Sequence, residues 1–237
     1  MRPCFRLLTV MAALAAAVAS PLAARSSGLF TSLPIRWPEA SDMSSLLNAM
    51  DRPHWALGVL AKEGALRPVD RVMPGPSGLD GLDLLIMAQP RPLAPDENAA
   101  LDRWLHSGGR LLLFADPLLT ADSAFAIGDR RRPEALAMVQ PLLRHWGLRM
   151  QTDPDQLAGE HNADVFGAAV PVDLPGRLIA VSGAGRCRMA KDGVAALCRI
   201  GRGRALIVAD AALFDSPEGK APDRAAALTA LLARIAS

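Results

Sequence analysis

Two aspartates and a histidine are, by residue type and place, the side chains best suited to do chemistry in this chain. Asp116 follows the apolar run at 110–115 (RLLLFA), and Asp210 follows the run at 204–209 (RALIVA). Open α/β sheets gather ligands at the carboxyl ends of their strands, where the loops share one edge. Read that way, Asp116 and Asp210 are a carboxylate pair facing one crevice. The plainer reading is that each Asp bonds its own backbone two residues on and forms a turn. His161, with Asn162 and Asp164 beside it, is a third candidate, either as a polar cluster for a metal or substrate or as part of a solvated loop. His54, His106 and His145 are scattered, without the spacing that holds zinc. No cofactor motif is present. The glycines at 182–185 and 201–203 precede strands, whereas a dinucleotide fingerprint follows a strand and opens a helix.

A side-chain nucleophile is not expected. In an α/β enzyme the Ser or Cys sits on a sharp turn between a strand and a helix. After 110–115 that turn carries Asp116-Pro117, and neither G-x-S-x-G nor G-x-C-x-G occurs. Beyond the first residues the only cysteines are Cys187 and Cys198. They are equidistant from the centre of Asp192-Gly193, a strong two-residue hairpin signal. A tight turn there sets the cysteines opposite each other as a hydrogen-bonded pair, with Cα atoms ~5.5 Å apart. That predicts a disulfide, against the alternative of two small buried side chains that never oxidise.

These residues need elements to hold them. A first strand is expected at 28–33. Helices follow at 42–50, with Ser41-Asp42 as cap, and at 53–62, stopped by Gly64. Strands are expected at 65–69 and 82–88, and a helix at 95–107 with Pro at its start and Asp96 and Glu97 at the positive end of its dipole. Gly108-Gly109 stops it before the strand at 110–115. Alternating strands and helices imply right-handed crossovers and a mostly parallel sheet. A further helix is expected over 133–146, kinked or restarted at Pro141. Short strands at 177–181, 185–190, 195–200 and 204–209 favour antiparallel pairing. A helix over 222–235 closes the chain, with Leu228, Leu231, Leu232 and Ile235 as its apolar stripe.

The start of the chain has a different texture. Arg2 and Arg6 precede an unbroken apolar and small-residue run at 7–19, whose end, Ala17-Val18-Ala19, offers small residues at the two positions a signal peptidase reads, with Leu22-Ala23-Ala24 as a second, poorer site. This is the three-part pattern of a secretory signal over residues 1–24, or of an N-terminal anchor if it is kept. Cys4 precedes the apolar run and does not suit lipid attachment. The expected location is therefore exported: periplasmic, or held at the outer face of the inner membrane. Residues 28–237 read as one α/β domain. The formal charge of +2 leaves no nucleic-acid footprint, and 4% aromatics without a Tyr argue against a sugar-stacking surface. Arg130, Arg131 and Arg132 read as a solvated loop, or as a contact for anionic headgroups or an acidic partner.

Residues 83–117 carry a family resemblance. Gln89-Pro90 ends a buried strand. Pro92-Leu93 and Asp96-Glu97 lead into a helix, and Gly108-Gly109 leads to a strand ending in Asp116-Pro117. The late run at 201–210 also ends in Asp. The pattern resembles the auxiliary domain of uncharacterised ABC-type transport systems, which includes gliding-motility auxiliary proteins. Ala94 departs from it, because the family usually has Ser or Thr there as helix cap. The resemblance implies a flavodoxin-like sheet, akin to class I glutamine amidotransferases without their nucleophile. It further implies a non-enzymatic extracytoplasmic accessory domain whose partners are the membrane components of an ABC transporter. The alternative is a degenerate amidotransferase-like enzyme, or a small-ligand receptor, using Asp116, Asp210 and His161.

Overall fold

The structure is a computed structural model that describes residues 26–40, 42–181, 186–215 and 220–237. The segment expected to be a signal or anchor, with Cys4, lies outside the described residues, as do Ser41 and the glycines at 183 and 185. The first half contains β1 (Ser26–Thr31), α1 (Met43–Met50), α2 (Trp55–Leu60), β2 (Ala65–Pro68), β3 (Leu84–Ala88), α3 (Pro95–His106) and β4 (Arg110–Phe114). Next come α4 (Gln140–His145), β5 (Leu148–Gln151), β6 (His161–Val165), β7 (Ala168–Val172) and β8 (Arg177–Ala180). The chain continues with β9 (Cys187–Met189), β10 (Ala195–Ile200), β11 (Gly203–Val208) and α5 (Ala221–Ala236).

Seven strands form one sheet in the order β2-β1-β3-β4-β11-β10-β9. The first five run parallel, and their order follows the flavodoxin-like pattern 2-1-3-4-5. β10 and β9 extend the sheet antiparallel. The expected α/β architecture is therefore present. All five residues of β3 and the last four of β4 are buried, as near-continuous apolar strands require when both faces are covered. Alternation divides them. Leu84, Ile86, Leu112, Phe114, Leu206 and Val208 face α2 and α5, whereas Leu85, Met87, Leu111, Leu113 and Ile207 face α3 and α4. The stripe Leu228, Leu231, Leu232 and Ile235 of α5 is buried as its spacing demands, each side chain contributing roughly 1.5–3 kcal/mol of transfer free energy.

Gly108-Gly109 has a steric basis. Gly108 has φ +116°, and a Cβ on Gly109 would lie 2.4 Å from the Trp104 ring. The missing cap at Ala94 is offset from the other side, because the Glu97 carboxylate accepts the Ala94 N–H at 3.0 Å.

Three expectations are corrected. The helix expected over 133–146 shrinks to Gln140–His145, with Pro141 tolerated in its first turn. Residues before it fold back over the carboxyl edge instead: Leu119 N–H bonds Ala135 O at 3.0 Å, and Ala137 N–H bonds Asp116 O at 2.8 Å. Non-local backbone bonds thus replaced the helical ones. Second, the antiparallel succession holds only from β9 to β11. β8 pairs with the distant β5, and β11 runs parallel to β4. The third correction concerns the hairpin. The register is as expected, with Cys198 opposite Cys187, and a disulfide joins them. The turn is wider, however: Gly193 N–H bonds Ala190 O and Ala190 N–H bonds Ala195 O. That shifts the hydrogen-bonding phase by one residue. Arg199 and Arg186 become a bonded pair, while Cys187 and Cys198 become a non-hydrogen-bonded one. Their Cα atoms are accordingly 4.0 Å apart, closer than expected.

Candidate functional site

The carboxyl ends of β1, β3, β4 and β11 share one edge, and Asp116 and Asp210 meet there. Each makes the same motif. Asp116 Oδ1 accepts Leu118 N–H at 2.8 Å, two residues on, and its Oδ2 accepts Ala211 N–H at 3.3 Å. Asp210 Oδ1 accepts Ala212 N–H at 2.7 Å, again two residues on, and its Oδ2 accepts Asp173 N–H at 3.0 Å. One oxygen of each forms the local turn, and the other ties down a neighbouring loop. The turn-forming reading describes both aspartates, and the two lie near each other on this edge. Their oxygens point at amides, with Asp116 0% and Asp210 1% exposed.

Gln89 completes the clamp. It follows β3, is fully buried, and holds φ +44°. Its Oε1 accepts Asp116 N–H at 2.9 Å, and its Nε2 donates to Asp116 O at 3.2 Å and Glu134 O at 2.8 Å. Ser32, beyond β1, donates its hydroxyl to Gln89 O and accepts Glu134 N–H. The crevice between β1 and β3, where such sheets usually seat a ligand, is thereby closed by backbone and amide groups. The motifs Gln89-Pro90 and Asp116-Pro117, separate in sequence, are two halves of one contact.

Burial without a cationic partner raises these carboxyls. Asp116 is pushed up to about 6, chiefly by burial. Asp210 is pushed up to about 8, by burial first and then by the charge of Asp116. Asp215, partly buried nearby, is pushed up to about 6 by burial even though the charge of Arg224 opposes the shift. Burial and the neighbouring Asp116 thus both favour the neutral form of Asp210, whose oxygens are turned to backbone amides.

A cleft of about 480 Å³ lies beside the clamp, lined by Asp122, Asp173, Asp215, Glu160 and His54 among others. Sequence reasoning singled out none of these four carboxylates. Asp173 and Glu160 lie in a region that showed no strand pattern, and Asp215 follows a strand only by way of a short turn. His54 is structural. Its Nδ1 accepts Ala56 N–H at 3.2 Å, capping α2, and its Nε2 lies 2.9 Å from Phe214 O. Burial lowers its pKa, which favours the neutral ring. Among the described residues no group of His, Cys, Asp and Glu is arranged to hold a metal ion.

His161 is not part of this edge. It opens β6 and is exposed on the β6–β7 hairpin, with Nδ1 3.2 Å from Gly159 O. The loop reading of its surroundings is corrected to a strand. It lines a different cleft of about 720 Å³, between the hairpin and α5, with Glu160, Lys220 and Arg224. Arg224 is buried there and bonds Glu160 and Ala212 O. Of the arginine triplet, Arg131 pairs with Asp129 at 2.7 Å and stacks over Phe125, and Arg132 donates to Phe125 O. Arg130 is exposed.

Residues 65–165 match the model of a family described as an ABC-type uncharacterized transport system. This is the family that the motifs of 83–117 resemble, and the matched stretch contains both halves of the Gln89–Asp116 clamp. No curated protein matches the chain. Among solved structures, an exo-β-1,4-mannosidase from Opitutaceae bacterium strain TAV5 superposes with TM-score 0.53 at 17% identity, over 89% of this chain and 36% of that one. A β-galactosidase from Rahnella sp. R3 gives TM-score 0.47 at 14% identity, over 90% and 31%. A cytoplasmic protein from Salmonella typhimurium LT2 gives 0.48 at 15%, over 76% and 86%. This chain spans about a third of the length of either glycosidase. At such identities the mannosidase likeness shows a shared fold alone.

Proposed function

We propose that the chain is a non-enzymatic, extracytoplasmic accessory domain that binds the membrane components of an ABC-type transporter. The family match over 65–165 carries this reading. The local chemistry supports it. At the strand-end turn where a related enzyme would present a nucleophile, Asp116 spends both oxygens on backbone amides. The sequence pattern of residues 1–24 supports export. The loops of the carboxyl edge supply a binding surface. Trp37, Met43, Leu47, Leu118, Ile127 and Leu136 are large, apolar and exposed, and all lie on segments that leave this edge after β1 or β4. Exposed apolar side chains on the loops of one edge are the groups a docking partner would cover.

Affinity isolation of the tagged full chain from detergent-solubilised membranes tests the proposal. The expected result is co-purification of an ABC-type permease with its ATPase, lost when Ile127 and Leu118 are replaced by Ser. Recovery of the chain alone, with reproducible hydrolase turnover that Asp116→Asn abolishes, would overturn it.

A further inference from the structure

The opposite edge of the sheet carries a row of arginines. Strand register places Arg110 of β4 beside Arg204 of β11, and Arg204 beside Arg199 of β10. Arg199 N–H in turn bonds Arg186 O at 3.1 Å, just before β9. Four arginines thus stand in one row across four neighbouring strands. Alternation puts Arg110, Arg204 and Arg199 on the α5 face, in step with Leu112, Leu206 and Leu197. Arg186 and Arg199 are exposed and the other two partly so. Among the described residues no carboxylate comes within ion-pair distance of any of the four. Like charges side by side on adjacent strands repel. The whole chain carries a formal charge of only +2, so these four charges stand out, although Asp83, beside Leu84 on the same edge, accepts Ser26 N–H with its carboxylate and Arg110 Nε–H with its carbonyl.

The row also extends to the place where the chain enters the sheet. Arg110 is in register with Leu84, and Leu84 with Ser27 of β1. Ser26 and Ser27, the first described residues, therefore lie level with the arginines. A cleft of about 590 Å³ opens on the same edge, between Arg144, Arg186 and Arg199. Its one carboxylate, Asp102, accepts Trp146 Nε1–H at 3.0 Å and lies 3.3 Å from His106 Nδ1 and 3.4 Å from His145 Nε2.

We infer that this edge lies against an anionic phospholipid surface, with the arginine row and the adjoining cleft contacting headgroup phosphates. Guanidinium groups fork onto phosphate oxygens, and each basic side chain near such a surface strengthens binding about fivefold. The carboxyl edge, with its exposed apolar loops, then lies on the side remote from the bilayer, where it meets the parts of the transporter's membrane components that project from the membrane. The inference takes its location from the accessory-domain reading, but the two can fail separately. Vesicle binding reads the edge alone, and co-purification reads the transporter.

The test is flotation of the full chain with phosphatidylcholine vesicles, with and without phosphatidylglycerol. Comparing the ratio of each variant with that of the wild-type chain cancels the contribution of the apolar run and of Arg2 and Arg6, which all of them share. The expected ratio is tenfold or more in favour of the anionic vesicles, falling with salt. Arg186→Gln/Arg199→Gln/Arg204→Gln should bring it close to one, while the corresponding triple Lys variant keeps most of it. An intact Cys187–Cys198 bridge and an unchanged circular dichroism spectrum in both variants show that the fold persists. Equal binding to both lipids would refute the inference. So would a preference that survives the triple Gln variant, or one abolished by changing Arg130, Arg131 and Arg132 instead. Binding to polyglutamate without a lipid preference would assign the row to an acidic protein and also overturn it.

Discussion

Glu97 and Asp210 are both buried carboxylates, 2% and 1% exposed, yet they titrate at opposite ends of the scale. Glu97, at the start of α3, receives both Nη atoms of Arg91 at 2.8 Å, together with Ala94 N–H and Val72 N–H. The guanidinium holds it down at about 2. Asp210 also accepts two backbone amides, but it has no cationic partner and feels the charge of Asp116, so that burial first and Asp116 second raise it to about 8. Burial alone therefore does not decide the charge of a carboxyl group. A cationic partner does, because amide dipoles recover only part of the hydration that burial removes.

The two sites should respond to pH in opposite senses. Glu97 has a folded pKa below its unfolded one. Its contribution is complete above its ordinary value of 4.5 and is lost as pH falls through about 2. Asp210 has a folded pKa above its unfolded one. Between about 4 and 8 the folded state binds more protons, so its contribution declines as pH rises through that window.

Breaking the pair at α3 should be the most destabilising change. Arg91→Ala is expected to cost about 2–4 kcal/mol at pH 7, because it leaves Glu97 buried and unpaired; the Arg91 side is partly hydrated, which keeps the cost below that of a fully buried pair. Urea unfolding measures it. The loss should shrink at pH 3, where the freed Glu97 takes up a proton, and adding Glu97→Gln should recover much of it. A cost that is the same at both pH values would show that Arg91 acts by packing on Phe30 rather than by charge.

Asp210→Asn sharpens the other half of the comparison. Asp210 should account for a loss of about 3–4 kcal/mol as pH rises from 5 to 8, absent from the variant, which keeps only the smaller loss due to Asp116 and Asp215. Thermal unfolding across that range decides it, and parallel curves for the two proteins would reject the raised pKa. Asp116→Asn should be the mildest change. Its amide can still accept Leu118 N–H but turns a donor toward Ala211 N–H, at a cost of about 1 kcal/mol. The pH window it removes, between about 4 and 6, is narrower than that of Asp210. An effect larger than that of Asp210→Asn would reverse the order of the two sites.

Part of this site was legible beforehand. Asp116 and Asp210 were visible because a carboxylate ending an apolar run is a local signal, and the run itself predicts burial and direction. Their partners were not. Gln89 looks like an ordinary loop residue until β3 and β4 lie side by side. Asp173 reaches Asp210 from a strand that residues 148–172 do not announce, since alternation there is interrupted by Asp, Gly and Pro. His161 drew attention by type alone, and type carries no information about which edge a residue occupies.

The sequence by itself determined the buried strands β3 and β4, the stop at Gly108-Gly109, the apolar stripe of α5 and the register of the two cysteines. Each follows from short-range periodicity or turn chemistry. Tertiary structure alone decided that β8 pairs with β5, that 133–139 folds over the carboxyl edge instead of joining the helix, and that four arginines, three on strands and one just before β9, form one row. These depend on which segments the sheet brings together, and non-local backbone bonds and shared burial outweigh the small local preferences of the chain.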